Sequence, residues 1–196
     1  MEKRKHMEGK EIMKYNTYNL QWLLNRVGQE ENIKYLLFWG HTLSKDGSVT
    51  KSCFSQWWES TFEVDKVRYA TAEHWMMAKK AELFEDEEML GKILAAKSPA
   101  EAKKLGRKVR GFDPKVWGEN CFDIVCEGNF YKFSQHPDLK VFLLNTKDRV
   151  LVEASPVDRI WGIGMAQNHE HAENPWFWKG SNLLGFALME VRDRLK

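Results

Sequence analysis

The sequence predicts an α+β fold, a single mainly helical domain with a small sheet, on three observations. From residue 71 onward, apolar residues recur at about the 3.6-residue helical period in several stretches. Capping residues punctuate those stretches. The runs that read as strands are short, aromatic or β-branched, and do not alternate regularly with helices as a parallel α/β sheet requires.

Taken in order, residues 1–30 are polar with scattered Tyr, Leu and Trp, and read as a loosely attached helical extension of a domain spanning 31–196. "IKYLLFWG" at 33–40 and "SCFSQWWES" at 52–60 flank Asp46-Gly47, which predicts a hairpin between two strands. "STFEVDKVRYAT" predicts a second hairpin turning at Asp65-Lys66. A helix over 72–84 follows. "SPAEAKKLG" carries the clearest helix start: Ser98 caps, Pro99 takes the first helical position, Glu101 completes a capping box, and Gly106 ends the helix. Further helices are expected at 114–134 and 137–145, a strand at 150–155, and an amphipathic helix in "SNLLGFALMEVRDRL".

Composition narrows the function classes. With 196 residues, 43% of them hydrophobic, the chain can bury a substantial core. Thirty basic and 28 acidic residues leave a net charge of +2, too little for general nucleic-acid binding. Nine Trp and eleven Phe supply core mass or flat faces for rings. Three cysteines without a CxxC pair argue against a disulfide framework or a structural zinc site, and read as reduced thiols. The charged opening "MEKRKHMEGKEIMK" lacks a signal peptide's apolar segment, and no membrane-spanning run occurs, so a cytoplasmic protein is expected.

Two stretches carry candidate chemistry. In "YATAEHWMMAKKAELF", a wheel at 100° per residue puts Met77, Lys80 and Phe84 within about 40° of Glu73, with Lys79 about 120° away. Either both charged side chains snorkel to water from the rim of that face, or they lie on a cleft floor. There, desolvation would lower the lysine pKa and free an amine to attack a carbonyl carbon. In "ASPVDRIWGIGMAQNHEHAENPWFWKGSNLLG", Asp158 and Trp161 precede Gly162 and Gly164, which permit tight turning or close approach to a ligand. Asn182 can cap the last helix or hold a sugar hydroxyl. Each of these has a structural alternative: Trp161 as core, Asp158 and Asn182 as caps. The "HEH" at 169–171 lacks a nearby third ligand and is not read as a metal site. Arg107 and Arg110 in "GRKVRGF" suit a phosphate or simply a solvated surface.

"TAEHWMMAKKA", "SPAEAKKLGR", "KFSQHPDLKVFLLNT", "LVEASPVDRIWGIG" and "NLLGFALMEVR" together resemble the YbiA-like or NADAR family, from about Phe38 to the C-terminus. The resemblance implies an N-glycosidase acting on early riboflavin intermediates or removing ADP-ribose from guanine. It carries over onto Glu73 and Lys80, onto Asp158, Trp161 and Gly162, onto Lys132 and Phe133, and onto Asn182 to Gly185. Where relatives commonly have Thr-Gly, this chain has Thr146-Lys147. Cleaving a ribosyl C–N bond requires a carboxylate beside a cationic carbon, a proton for the leaving nitrogen, and a grip on base and phosphate. Glu73 and Asp158 are expected as the carboxylates, and Lys80 as a proton donor or Schiff-base amine. Trp161 is expected to stack on the base, and Arg107 and Lys132 to meet phosphate. No metal or cofactor is required. The expected partner is a small N-riboside or ADP-ribosylated guanine, with no membrane partner. The rival readings are a nucleotide-binding module without turnover and an interaction protein using the aromatics of "FSQWWESTF".

Overall fold

The structure, a computed structural model, describes residues 17–196. Its architecture is α+β, with seven α-helices and two two-stranded sheets among the described residues. None of those helices is long and apolar enough to cross a membrane.

Asn19 caps the first helix, α1 (Leu20–Gly28), and Leu23 on its inner face is fully buried. The backbone N–H of Tyr18 donates to Glu190 Oε1 at 2.9 Å, fastening this segment near the C-terminal end of the chain. Residues 17–30 are therefore docked, and the rest of the expected extension lies outside the described residues.

Strand β1 (Tyr35–Phe38) does not form a hairpin with the segment that follows. Its partner is the distant β4 (Val150–Glu153), in parallel, with Phe38 opposite Glu153. Asp46-Gly47 does turn: Asp46 accepts from Ser44 and Ser48, and Gly47 is at φ +75°. The expected second strand is instead a short 3-10 turn, Lys51–Phe54. The carbonyls of Cys53 and Ser55 are taken by the Lys132 ammonium at 2.6 and 2.9 Å, so this segment satisfies its backbone through a side chain. The second hairpin forms as expected, β2 (Phe62–Val64) against β3 (Val67–Tyr69), with Asp65 and Lys66 both at positive φ in its turn.

Helix α2 (Ala72–Leu83) starts at its Thr71 cap and is surrounded by α3 (Glu87–Leu94), α4 (Pro99–Gly106) and α5 (Pro114–Gln135). Its first seven residues are all buried, His74 included. That ring lies 2.8 Å from the Thr71 hydroxyl through Nδ1 and 3.1 Å from the Ala96 carbonyl through Nε2. A further helix, α3, is capped by Asp86. The cap of α4 follows the sequence: Ser98 Oγ accepts from Glu101 N at 3.2 Å, and the Glu101 carboxylate reaches back to Lys97 N at 2.8 Å. After α6 (Pro137–Leu144) the chain enters β4 and closes with α7 (Leu183–Arg194), which packs on both α5 and β4. Gly185 makes that approach possible, because a Cβ there would lie 2.1 Å from the Leu151 carbonyl oxygen.

Candidate active site

A cleft of about 510 Å³ opens where the start of α2, the end of β4, α4 and the segments after β1 and β4 converge. Glu73 enters its floor from the first turn of α2, and Glu153 enters from the last residue of β4. Asp158, Lys103 of α4 and the rings of Trp57 and Trp161 complete the walls.

Glu73 is 2% exposed and its Oε1 has no hydrogen-bond partner. Burial pushes its carboxyl up to about 7, against the opposing charge of Lys103 and a hydrogen bond from Trp57; Asp158 reinforces the rise and Arg107 opposes it. Glu153 is held at its backbone, where its N–H donates to Asn182 Oδ1 at 2.9 Å and its carbonyl accepts from Ile163 N at 2.9 Å. Its Oε2 is buried without a partner. Burial pushes this carboxyl up to about 8, with the charges of Asp158 and Glu73 adding to the rise and Lys103 opposing it. Near neutral pH the cleft therefore holds carboxyl groups that retain protons.

Asp158 is half-exposed. Its Oδ1 accepts from Ile160 N at 2.9 Å and Trp161 N at 2.8 Å, which ties the loop into a turn and sets Trp161 on the cleft wall. The ammonium of Lys103 lies 5.8 Å from the Trp57 ring centroid, and the same ring stands 5.4 Å from His41. Cation, carboxyls and flat faces thus share one concavity.

Of the residues expected from sequence, Glu73, Asp158 and Trp161 meet in this cleft. Lys80 does not line it. Its ammonium rests over Phe112 at 4.0 Å and faces Trp117 at 5.5 Å, where burial lowers its pKa. The wheel placed Lys80 at the azimuth of Glu73, but seven residues also advance the helix by about 10 Å along its axis. Lys132 is fully buried, with its ammonium committed to the two carbonyls described above and its pKa pushed down to about 8 by desolvation. It holds the segment from which the cleft residues Ser55 and Gln56 follow, rather than presenting charge to a phosphate.

Asn182, also fully buried, neither caps α7 nor faces the cleft: its amide bridges the Leu151 carbonyl and the Glu153 N–H, both at 2.9 Å. Gly162 allows a close approach within the protein, since a Cβ there would sit 2.8 Å from the Glu153 carbonyl oxygen. Arg107 is exposed just past α4, outside the cleft wall, although its charge reaches Glu73. Arg110 pairs with Asp86 at 2.5 Å. His171 stacks on Phe177 at 4.1 Å, and no group of three or more His, Cys, Asp or Glu among the described residues is arranged to hold a metal ion.

Sequence patterning does not point to Glu153 or Lys103, and it presents Trp57 only within the aromatic run "FSQWWESTF". A faint signal existed for Glu153, a carboxylate ending an otherwise buried strand in "VLVE". Lys103 had none that set it apart from Lys104.

A family model described as the NADAR domain matches residues 37–196. The N-glycosidase R617 of Acanthamoeba polyphaga mimivirus is 43% identical over 170 residues, 83% of this chain and 97% of that protein. The Riboflavin biosynthesis protein PYRR, chloroplastic, of Zea mays is 33% identical over 138 residues, 67% of this chain and 20% of that protein. The N-glycosidase YbiA of Escherichia coli (strain K12) is 33% identical over 144 residues, 74% of this chain and 79% of that protein. The NMR structure of E. coli YbiA superposes with a TM-score of 0.66 at 28% identity, covering 84% of this chain and 86% of that one. Every wall of the cleft, from Trp39 to Leu184, falls inside the matched segment, and the chain belongs to the NADAR family.

Proposed function

We propose that this chain is an N-glycosidase that hydrolyses a ribosyl C–N bond. The observation that carries the reading is the convergence of Glu73, Glu153 and Asp158 with Lys103 in one aromatic-walled cleft, two of the carboxyls having a buried oxygen with no partner. Such a bond breaks with its electron pair leaving on nitrogen, which needs a proton, while positive charge grows on the ribosyl carbon. Glu153 or Glu73, protonated near neutral pH, donates that proton. Asp158 stabilises the cationic carbon and accepts a proton from the water that adds to it. Trp161 and Trp57 hold the base between flat faces.

Among the described residues, the amine expected at Lys80 is available in the cleft only from Lys103, which in this reading grips the sugar phosphate or attacks the opened sugar. The names of the relatives support N-glycosidase chemistry, and that of the Zea mays protein favours a phosphoribosylated pyrimidine of the riboflavin route as substrate. An ADP-ribosylated guanine is the second candidate.

The test is incubation with a panel holding both substrates and common nucleotides, with released base followed by chromatography. Release from at least one compound is expected, and its loss in Glu73→Gln. A panel that binds but stays intact would identify a nucleotide-binding module instead. Borohydride added during turnover separates the roles of Lys103: a trapped adduct on it marks imine chemistry, and its absence with turnover intact marks a binding role.

A further inference from the structure

A second cavity, of about 480 Å³, lies between α1, the α6–β4 turn and the C-terminal part of α7, and shares no residue with the catalytic cleft. Its walls carry four cations, Arg26, Lys147, Arg192 and Lys196, against two carboxylates, Asp148 and Asp193. Two of the cations are already paired, Arg26 with Glu31 at 2.5 Å and Lys196 with Asp193, which leaves Arg192 and Lys147 to face a ligand. Asp193 is engaged by Lys196 at 2.6 Å and by the Tyr18 hydroxyl, leaving 3.9 Å between its Oδ1 and Arg192 Nε.

Arg192 is the unusual member. It is 2% exposed, its Nη1 donates only to neutral acceptors, Thr146 Oγ1 at 3.0 Å and the Arg149 carbonyl at 2.8 Å, and its Nε has no hydrogen-bond partner. Its nearest carboxylate, Asp193, stands 3.9 Å from Nε, beyond hydrogen-bond reach, so the buried guanidinium keeps a donor unsatisfied, and a planar edge of N–H donors matches an oxyanion. Lys147 adds a second feature. It forms no ion pair among the described residues and stands at φ +54°, a backbone region in which a lysine is strained and a glycine is not.

We propose that this cavity is an oxyanion site for a phosphate group, with Arg192 as the buried donor and Lys147 as the cation at its mouth. The proposal is independent of the catalytic reading, because it uses neither the cleft nor its residues. The phosphate can come from the free ion or from a phosphomonoester, and the two arms of the test separate these sources.

Thermal unfolding of the full chain is measured in sodium phosphate, in ribose 5-phosphate, and in sodium chloride at matched ionic strength. A ligand that binds only the folded state raises the midpoint, here by roughly 2–4 °C at tenfold or greater saturation. Lys147→Gly and Lys147→Asn, both at ease at positive φ, should fold at least as well as the parent yet lose most of that rise, whereas Lys45→Ala on a remote exposed turn should keep it. The part of the rise that both Lys147 variants lose belongs to this cavity: a greater such part with ribose 5-phosphate assigns the phosphomonoester, and an equal one the free ion. The proposal is overturned if the parent shows no rise over chloride, if both Lys147 variants keep it in full, or if Lys45→Ala loses as much.

Discussion

At the scale of the residue, the cleft depends on carboxyl groups whose burial opposes their ionisation. In the catalytic reading, kcat/KM should fall as pH rises through about 7 to 8, where Glu73 and Glu153 lose their protons. Glu153→Gln and Glu73→Gln should each lower kcat by on the order of 10²–10⁴, measured at pH 6 on the substrate identified by the panel. Stability should follow the same groups. Both titrate near 4.5 when unshifted and higher when folded, so the stability they contribute is complete below about 4.5 and is lost as pH rises through about 7 and 8. Glu153→Gln should flatten the decline in midpoint between pH 6 and 9, and an unchanged pH slope would contradict the assigned burial. Lys132 makes a different claim. Truncating it to Ala leaves the Cys53 and Ser55 carbonyls without their donor and opens a void, at a cost of roughly 2–5 kcal/mol in urea unfolding.

At the scale of the element, local rules were legible wherever a local interaction closes the structure. The α4 cap needs only Ser98, Pro99 and Glu101, and the Asp65-Lys66 hairpin needs only its turn and two short strands. The first hairpin failed because β1 found its backbone partner far along the chain in β4, while residues 51–54 were held by Lys132. No turn signal records either event. The contact between α7 and β4 is sharper still: Gly185→Ala would drive a methyl to 2.1 Å from the Leu151 oxygen and 2.5 Å from the Asn182 amide. This should cost roughly 1–3 kcal/mol and loosen the Asn182 bridge that holds Glu153, so activity should fall along with the unfolding midpoint.

At the scale of the whole molecule, the aromatic and aliphatic core encloses three thiols. Burial raises Cys53 to about 12 and raises Cys121 and Cys126 as well. Native protein should therefore react negligibly with a thiol reagent at pH 8 over minutes, and all three cysteines should react in denaturant. Rapid native labelling would mean that the core opens far more readily than its packing implies.

The sequence by itself determined the α+β class, the α4 cap, the second hairpin and the azimuth of Glu73, because each follows from residue type within a few positions of the chain. Its family motifs also pointed to Glu73, Asp158 and Trp161, which line one cleft. Only the tertiary structure decided which amine joins them. Lys80 and Lys103 are both helical lysines, and nothing within either helix distinguishes the one set over Phe112 from the one set beside Trp57. The same holds for Glu153, whose carboxyl becomes a cleft group only because β4 ends where α2 begins and Asn182 fixes its backbone. Periodicity reports the direction in which a side chain points. Distance along the axis and the identity of the facing element arise from contacts between segments far apart in sequence, and those contacts placed the charges in the cleft.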